Sequence, residues 1–147
     1  MPNLDKQVQA ARAGVEPALI CQIPSGWVLL CNSQFLRGYC IQISDPIVSS
    51  LNDLAGQART TYLNDMAMIG DALLEITGVY RINYAILGNS DPVVHSHIVP
   101  RYLTEREMLR KGPPWSYPQA TMESMLFDCE RDKDLMCQMR AAIHKRL

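Results

Sequence analysis

Two of the three histidines in this chain, His95 and His97, stand two residues apart in an apolar segment that closes with Pro100 and Arg101. In a β-strand, side chains at positions i and i+2 point to the same face, about 6.6 Å apart along the strand. The pattern over residues 93–99 predicts such a strand, so the two imidazoles are expected to share one site. Near neutral pH an uncharged imidazole can act as a nucleophile, a base or a metal ligand. The residues alone leave these three chemistries open.

The remaining candidates for metal binding do not strengthen the metal interpretation. A catalytic zinc site typically has three protein ligands, and the third histidine, His144, lies in a terminal turn rich in lysine and arginine. The five cysteines are odd in number and form no Cys-x-x-Cys pair. We therefore predict no metal and no cofactor, and keep a metal-binding domain built on His95 and His97 as an alternative.

Composition limits the class of protein. The chain has 147 residues, 48% of them hydrophobic, which suits one domain over 1–147 with a single core. The formal net charge of −1 does not favour bulk nucleic-acid binding. No apolar run approaches the roughly 20 residues that a membrane helix needs, and the first residues do not resemble a secretory signal. An odd number of cysteines in a chain whose first residues do not resemble a secretory signal indicates free thiols. We therefore expect a cytoplasmic protein.

The hydrophobic pattern predicts an α+β domain around a mainly antiparallel sheet of five strands. Apolar residues at three- and four-residue spacing predict one long helix over 51–77, with Ser50 and Asp53 as a capping box at its start and Gly78 as its end. A short helix over 4–14 precedes the sheet, and a helical tail, in one or two pieces, follows over 119–146. The predicted strands cover 18–23, 27–31, 38–43, 80–88 and 93–99.

These residues resemble the histidine triad family of nucleotide hydrolases and transferases. The signature of that family is His-φ-His-φ-His-φ-φ, where φ is apolar, and it is often followed by Pro-Arg. Here the run from Val93 to Arg101 matches its second and third histidines with His95 and His97. Leu87-Gly88-Asn89 resembles the loop that precedes the signature in family members, and Arg37-Gly38-Tyr39 resembles the turn into their third strand. The resemblance covers about 18–117 and implies a triad-like core there, followed by a helical tail over about 119–147.

The resemblance also implies roles for individual residues. His95 takes the place of the nucleophile that attacks the α-phosphorus of a nucleotide, forming a nucleotidyl-histidine intermediate, and His97 that of a phosphoryl contact. Further implied contacts are Asn32 with the ribose and Asn89 and Ser90 with the phosphates. Arg101 is implied either as a phosphate contact or as the partner of a surface carboxylate. Apolar residues around Ile20, Cys21 and Ile23 would line the base pocket, and the protein would form a homodimer.

Two positions depart from the family pattern. Val93 replaces the first histidine of the signature, and Ile47 stands about where many members carry a further histidine. An apolar side chain neither relays a proton nor accepts a hydrogen bond, so the polar network around a phosphate is smaller. A nucleotide-binding or interaction module with weak or no catalysis is therefore the principal alternative to an enzyme. Trp27 and Trp115 are interpreted as packing residues.

Overall fold

The computed structural model describes residues 3–147; Met1 and Pro2, which begin the predicted domain, lie outside the described residues. Within residues 3–147, five strands and five α-helices follow one another, with short 3₁₀ turns at Leu51–Asp53 and Pro114–Ser116. In chain order they are α1 (Leu4–Arg12), β1 (Leu19–Ile23), β2 (Gly26–Leu30), β3 (Cys40–Ser44), α2 (Gly56–Thr77), β4 (Arg81–Ala85), β5 (His95–Arg101), α3 (Glu107–Arg110), α4 (Gln119–Met122) and α5 (Cys129–His144).

The sheet has the strand order β1-β2-β3-β5-β4, and every neighbouring pair is antiparallel. This confirms the predicted α+β class with a five-stranded antiparallel sheet. The chain leaves β3, runs through α2 to the edge strand β4, and returns as β5 between β3 and β4. The strand that carries the histidines is thus hydrogen-bonded on both sides, which fixes its backbone before any side chain is considered.

The two faces of β5 meet different surroundings. On one face, here called the histidine face, lie His95, His97 and the residues in register with them, next to a core cluster built around α1, β2 and β3. On the opposite face, here called the helix face, Ile98 packs into the cluster formed by α2, α5 and the sheet. All seven residues of β5 are buried because both faces are covered.

The long helix α2 begins later than predicted. Asp53 does accept a hydrogen bond from the backbone N–H of Ser50 (3.0 Å), but this box closes the 3₁₀ turn at Leu51–Asp53. The helix itself starts at Gly56, so the predicted span of 51–77 is wrong at its beginning. Its end agrees with prediction: Gly78 has a φ of 66°, where glycine is favoured, and its N–H donates to the carbonyl of Leu74.

The helical tail, predicted in one or two pieces, consists of two helices, α4 and α5. Helix α5 packs beside α2 on the sheet, and Asp128 caps it by accepting from the backbone N–H of Arg131 (2.8 Å). The segment between α4 and α5 runs along the connection from β2 to β3. There the N–H of Gln34 donates to the carbonyl of Met125, and that of Phe127 to the carbonyl of Asn32, each at 2.7 Å.

Two further properties bear on the predicted class of protein. No helix within residues 3–147 is both long enough and apolar enough to cross a membrane. All five cysteines are free thiols; three of them are buried, and Cys129 and Cys137 are exposed.

Candidate functional site

His95, the first residue of β5, has a defined hydrogen-bond partner. Its ring Nδ1 lies 2.6 Å from the backbone carbonyl oxygen of Val93. A carbonyl oxygen can only accept, so Nδ1 carries the proton and Nε2 keeps its lone pair. The ring is 5% exposed and its strand position lies opposite Ile43 of β3. His95 is therefore held in the tautomer that a nucleophile requires.

His97 lies one register step further along β5, between Ile41 of β3 and Ala85 of β4. Its Nδ1 is 2.6 Å from the hydroxyl oxygen of Tyr39. Burial, with a further contribution from the charge of His95, lowers the pKa of His97 to about 4. The centroids of the two imidazoles are 4.9 Å apart, so the two rings face one site, and His97 is neutral there at pH 7.

The histidine face borders a cavity of about 490 Å³, within the roughly 300–1,000 Å³ range of small-molecule sites. Three parts of the chain form its wall: the connection from β2 to β3, the connection from β4 to β5, and the segment from Trp115 into the tail. The lining residues are Cys31, Asn32, Ser33, Phe35, Tyr39, Leu87, Gly88, Asn89, Ser90, Asp91, His95, His97, Trp115, Gln119, Met122, Glu123 and Leu126.

Five of the six site residues expected from the sequence line this cavity. Besides the two histidines these are Asn32, which follows β2, and Asn89 and Ser90, in the connection that leads into β5. The same connection is fixed to the N-terminal helix, because the backbone N–H of Leu4 donates to the carboxylate of Asp91 at 3.0 Å. The polar residues next to the histidines are therefore brought together as the resemblance implied.

Arg101 does not line the cavity. Its guanidinium is 1% exposed and forms an ion pair with Glu105 (2.9 Å). Its other donors go to the side chain of Asn83 and to the carbonyls of Leu109 and Gly112, so all five N–H groups are occupied. Burial opposes the charge of Glu105, but the hydrogen bonds from Arg101 and Tyr117 outweigh it and lower the pKa of Glu105. The carboxylate partner, one of the two implied roles, is thus present, although buried, and no donor is left for a phosphate.

Several lining residues were not identified from the sequence. Trp115, interpreted as a packing residue, does pack: its ring lies 5.3 Å from that of His97 at 86°, yet it is 42% exposed and borders the cavity. Tyr39 is part of the predicted turn into β3, but the sequence does not identify it as a partner of His97. Only the pairing of β3 with β5 brings Tyr39 next to His97. The tail adds Gln119, Met122, Glu123 and Leu126 to the wall.

The expected base-pocket residues lie elsewhere. Ile20, Cys21 and Ile23 are buried in the core cluster beneath α2 and α5, on the side of the sheet away from the histidines. Strand β1 is separated from β5 by two other strands, so its apolar side chains do not reach the cavity. The implied role of these three residues is therefore wrong, and Phe35, Leu87, Trp115 and Leu126 supply the apolar lining instead.

The two residues that depart from the triad pattern contribute packing. The side chain of Val93 is 6% exposed and belongs to the cluster on the histidine face, against which the partly buried Ile47 also packs. What Val93 gives to the site is its backbone carbonyl, which any residue would provide. The substitution thus leaves the tautomer of His95 in place.

The charges and the ligand types around the cavity are also informative. Asp91 and Glu123 are lining residues, whereas no lysine or arginine is found among the lining residues that the structure describes. Within 3–147, no three His, Cys, Asp or Glu side chains are grouped so that they could hold a metal ion.

Comparison with solved structures gives the fold a name. A histidine triad protein from Marinobacter aquaeolei aligns with 99% of this chain and 98% of its own, at a TM-score of 0.75 and 18% identity. A hypothetical histidine triad nucleotide-binding protein from Sulfolobus tokodaii covers 95% and 92%, at 0.72 and 11%. A zinc-bound histidine triad family protein from Mycobacterium smegmatis covers 92% and 91%, at 0.64 and 21%. No family model and no curated protein matches the chain.

Proposed function

We propose that this protein, which has the histidine triad fold, is a nucleotide hydrolase or nucleotidyltransferase. It would act at the α-phosphate of a nucleotide conjugate. The observation that carries the proposal is the bond from His95 Nδ1 to the Val93 carbonyl, 2.6 Å long, on a ring that borders the cavity. It leaves Nε2 with a lone pair at the place where a phosphorus atom would be attacked.

In the first step, the lone pair of His95 Nε2 forms a bond to the α-phosphorus. The bond from phosphorus to the leaving group breaks, and the leaving group keeps the electron pair and takes up a proton from solvent. The imidazole, now bearing the nucleotidyl group, carries a positive charge that the Val93 carbonyl stabilises through the Nδ1–H. His97, on the same face, contacts the phosphoryl oxygens as negative charge develops on them.

In the second step, water or another acceptor attacks the same phosphorus. The phosphorus–nitrogen bond breaks, its electron pair returns to Nε2, and the acceptor loses a proton. The products are a nucleoside monophosphate, or its conjugate with the acceptor, and the histidine in its starting form. Asn89 and Ser90 lie on the cavity wall beside the rings, and Asn32 on the opposite connection, which supports phosphate and ribose contacts respectively.

The charges of the wall favour one kind of substrate. With Asp91 and Glu123 on the wall and no cationic side chain among the described lining residues, a polyphosphate chain would be poorly neutralised. A conjugate with one phosphoryl group and a neutral or cationic leaving group suits the wall better. We therefore propose nucleoside phosphoramidates as better substrates than dinucleoside polyphosphates.

The test is incubation of wild type and His95→Ala with phosphoramidates, dinucleoside polyphosphates and adenylyl-sulfate-type substrates. We expect turnover in wild type, loss of turnover in the variant, and an acid-labile nucleotidyl-protein species that His95→Ala does not form. Turnover unaffected by the substitution would overturn the proposal. His144→Ala is the matched control, because it removes an exposed histidine at the end of α5, outside the cavity.

Measurements on the same purified proteins distinguish two alternatives from the proposed enzyme. A non-catalytic nucleotide-binding module would give saturable mononucleotide binding by calorimetry without any trapped intermediate. A metal-binding domain is favoured by one observation, the zinc-bound state of the related structure from Mycobacterium smegmatis. It predicts stoichiometric zinc or iron by elemental analysis of the purified protein, lost on His97→Ala.

The predicted assembly and location complete the proposal. We propose a homodimer, which sedimentation analysis would detect as twice the 16.6 kDa mass of the chain. The edge strand β4 carries the exposed Tyr84, and the exposed Tyr80 directly precedes this strand, which supports a partner at that edge. The five free thiols support a reducing, cytoplasmic location.

A further inference from the structure

We infer that Tyr39 is a positioning residue that holds His97 in the tautomer whose proton is on Nε2, so that His97 presents an N–H to the cavity. His95 is held by the Val93 carbonyl in the opposite tautomer, with its lone pair on Nε2. The site would then combine one imidazole that attacks and one that donates. The use of the His97 N–H by a phosphoryl oxygen rests on the proposed function; the tautomer itself does not.

The position of Tyr39 is fixed by its backbone. The preceding Gly38 has a φ of 100°, where glycine is favoured, and turns the chain into β3. The carbonyl of Tyr39 accepts from the N–H of Cys31 (2.9 Å) and from the side-chain amide of Gln34 (2.8 Å). Phe35 packs edge-on to the ring, with centroids 6.3 Å apart. A buried tyrosine, 4% exposed, is thus aimed at His97 from a rigid support.

The direction of the hydrogen bond follows from the groups that meet at the hydroxyl. Tyr39 Oη lies 2.6 Å from His97 Nδ1 and also interacts with the thiol of Cys31. Burial raises the pKa of both the phenol and the thiol, so both keep their protons. A phenol is a better donor than acceptor, and a thioether or thiol sulfur accepts weakly. The phenolic proton therefore goes to the imidazole nitrogen, and Nδ1 of His97 accepts it.

This arrangement has a consequence for His97. With Nδ1 accepting, the ring proton must be on Nε2, and the low pKa of His97 keeps the ring neutral at pH 7. A neutral ring with a fixed N–H contributes a donor without adding a full charge beside His95. Trp115, packed at 86° on the ring, restricts its rotation from the other side.

The tautomers are measured directly by long-range ¹H–¹⁵N NMR on histidine-labelled protein at pH 7. Only His95, His97 and His144 give signals, and single substitutions assign them. We expect His95 to be protonated on Nδ1, His97 on Nε2, and His144 to behave as a ring exposed to solvent. A wild-type spectrum with His97 protonated on Nδ1 would overturn the inference without any variant being needed.

The variant Tyr39→Phe removes the hydroxyl and retains the ring. We expect the ¹⁵N shifts of His97 to move toward a mixture of tautomers while those of His95 stay in place. Tyr62→Phe is the matched control, since its hydroxyl is also buried and bonds at 2.6 Å to Ser96, on the opposite face of the same strand. An unchanged His97 signal in Tyr39→Phe would contradict the inference. Turnover that survives His95→Ala would instead contradict the proposed function and leave the tautomer result standing.

Discussion

The two faces of β5 carry the same interaction in different settings. On the histidine face Tyr39 bonds to His97, and on the helix face Tyr62 bonds to Ser96, each at 2.6 Å between buried side chains. The His97 pair borders the cavity, whereas the Ser96 pair is enclosed by α2 and the sheet, where neither residue has accessible surface. A hydrogen bond of the same length thus positions a reactive group on one face and satisfies buried polar atoms on the other.

The histidine face is itself divided along its length. His95 and His97 border the cavity, but Arg101, at the far end of the strand, is closed in by Glu105 and two carbonyls. Whether a side chain on this face can reach a ligand therefore depends more on the groups that cover the side chain than on its position on the face. The predictions that follow test this division, from substitutions at the reacting ring to those that affect only stability.

The largest effect is expected from removal of the nucleophile. His95→Ala should lower kcat on the order of 10⁴-fold, because the other imidazole on this face, His97, does not have its Nδ1–H held by a carbonyl and its Nε2 lone pair free. Single-turnover kinetics with a phosphoramidate would measure it, and circular dichroism would check the fold. A loss of kcat below about tenfold would contradict the proposal that His95 is the nucleophile.

His97→Gln should have a smaller effect on turnover. The amide keeps one donor near the same place but loses the fixed geometry of the ring, so kcat should fall by about 10²–10³-fold with a lesser change in KM. Steady-state kinetics would separate these constants. If KM rose while kcat stayed at the wild-type value, His97 would be a ground-state binding group and not a donor to the transition state.

Arg101 should behave as a structural residue despite its face. Arg101→Met leaves Glu105 buried without its cation, which should lower the free energy of unfolding by about 3–5 kcal/mol. Urea denaturation would measure it. At a temperature where the variant remains folded, kcat should stay within about threefold of wild type. If the variant were as stable as wild type and its KM rose strongly, the result would instead favour the alternative role of Arg101, a phosphate contact.

The two tyrosines should separate function from stability. Tyr39→Phe should lower kcat by about tenfold, since it frees the tautomer of His97. Tyr62→Phe should leave kcat unchanged and lower the free energy of unfolding by about 1–3 kcal/mol, because the Ser96 hydroxyl loses its partner in the core. Paired denaturation and kinetic measurements would test both, and equal losses of kcat would contradict the comparison.

The last prediction is a pH dependence of stability. The pKa of His97 is about 4 in the folded protein and about 6.5 in an unfolded chain. Between these values the unfolded chain binds the proton and the folded protein does not, so stability falls as pH decreases from 6.5 to 4. The slope is at most about 1.4 kcal/mol per pH unit.

This slope should be reduced in His97→Gln and retained in His144→Gln, as urea midpoints between pH 4.5 and 7.5 would show. The groups that face the cavity with His97 are His95 on the same strand, Tyr39 and Cys31 in the connection from β2 to β3, and Asp91 and Glu123 on the cavity wall. Equal slopes in both variants would mean that another of these groups takes up the proton.

The fold and half of the site could be predicted because they depend on local pattern. The period of two along β5 predicts that His95 and His97 share one face, and the family resemblance implies Asn89 and Ser90 as further residues of the site. The alternation of strand and helix patterns gave the α+β class. The start of α2 was misplaced because the same capping residues, Ser50 and Asp53, can close a 3₁₀ turn as well as an α-helix.

The rest depended on contacts between distant parts of the chain. Tyr39 and His97 are 58 residues apart in sequence, and their meeting depends on β3 pairing with β5 and not with β4. The sequence does not decide between the two roles of Arg101, because Glu105 and two carbonyls reach its guanidinium only through the turn that follows β5. The tail residues on the cavity wall have no chemical pattern of their own that marks them in sequence.

The segment between α4 and α5 makes one wall of the cavity without belonging to the sheet. It is joined to the connection from β2 to β3 by two backbone hydrogen bonds and by the hydroxyl of Ser33, which donates to the carbonyl of Met122. Substitutions there alter the shape and charge of the wall while the paired strand that bears the histidines stays as it is. The wall of the cavity and the strand that holds His95 and His97 can therefore vary independently in sequence.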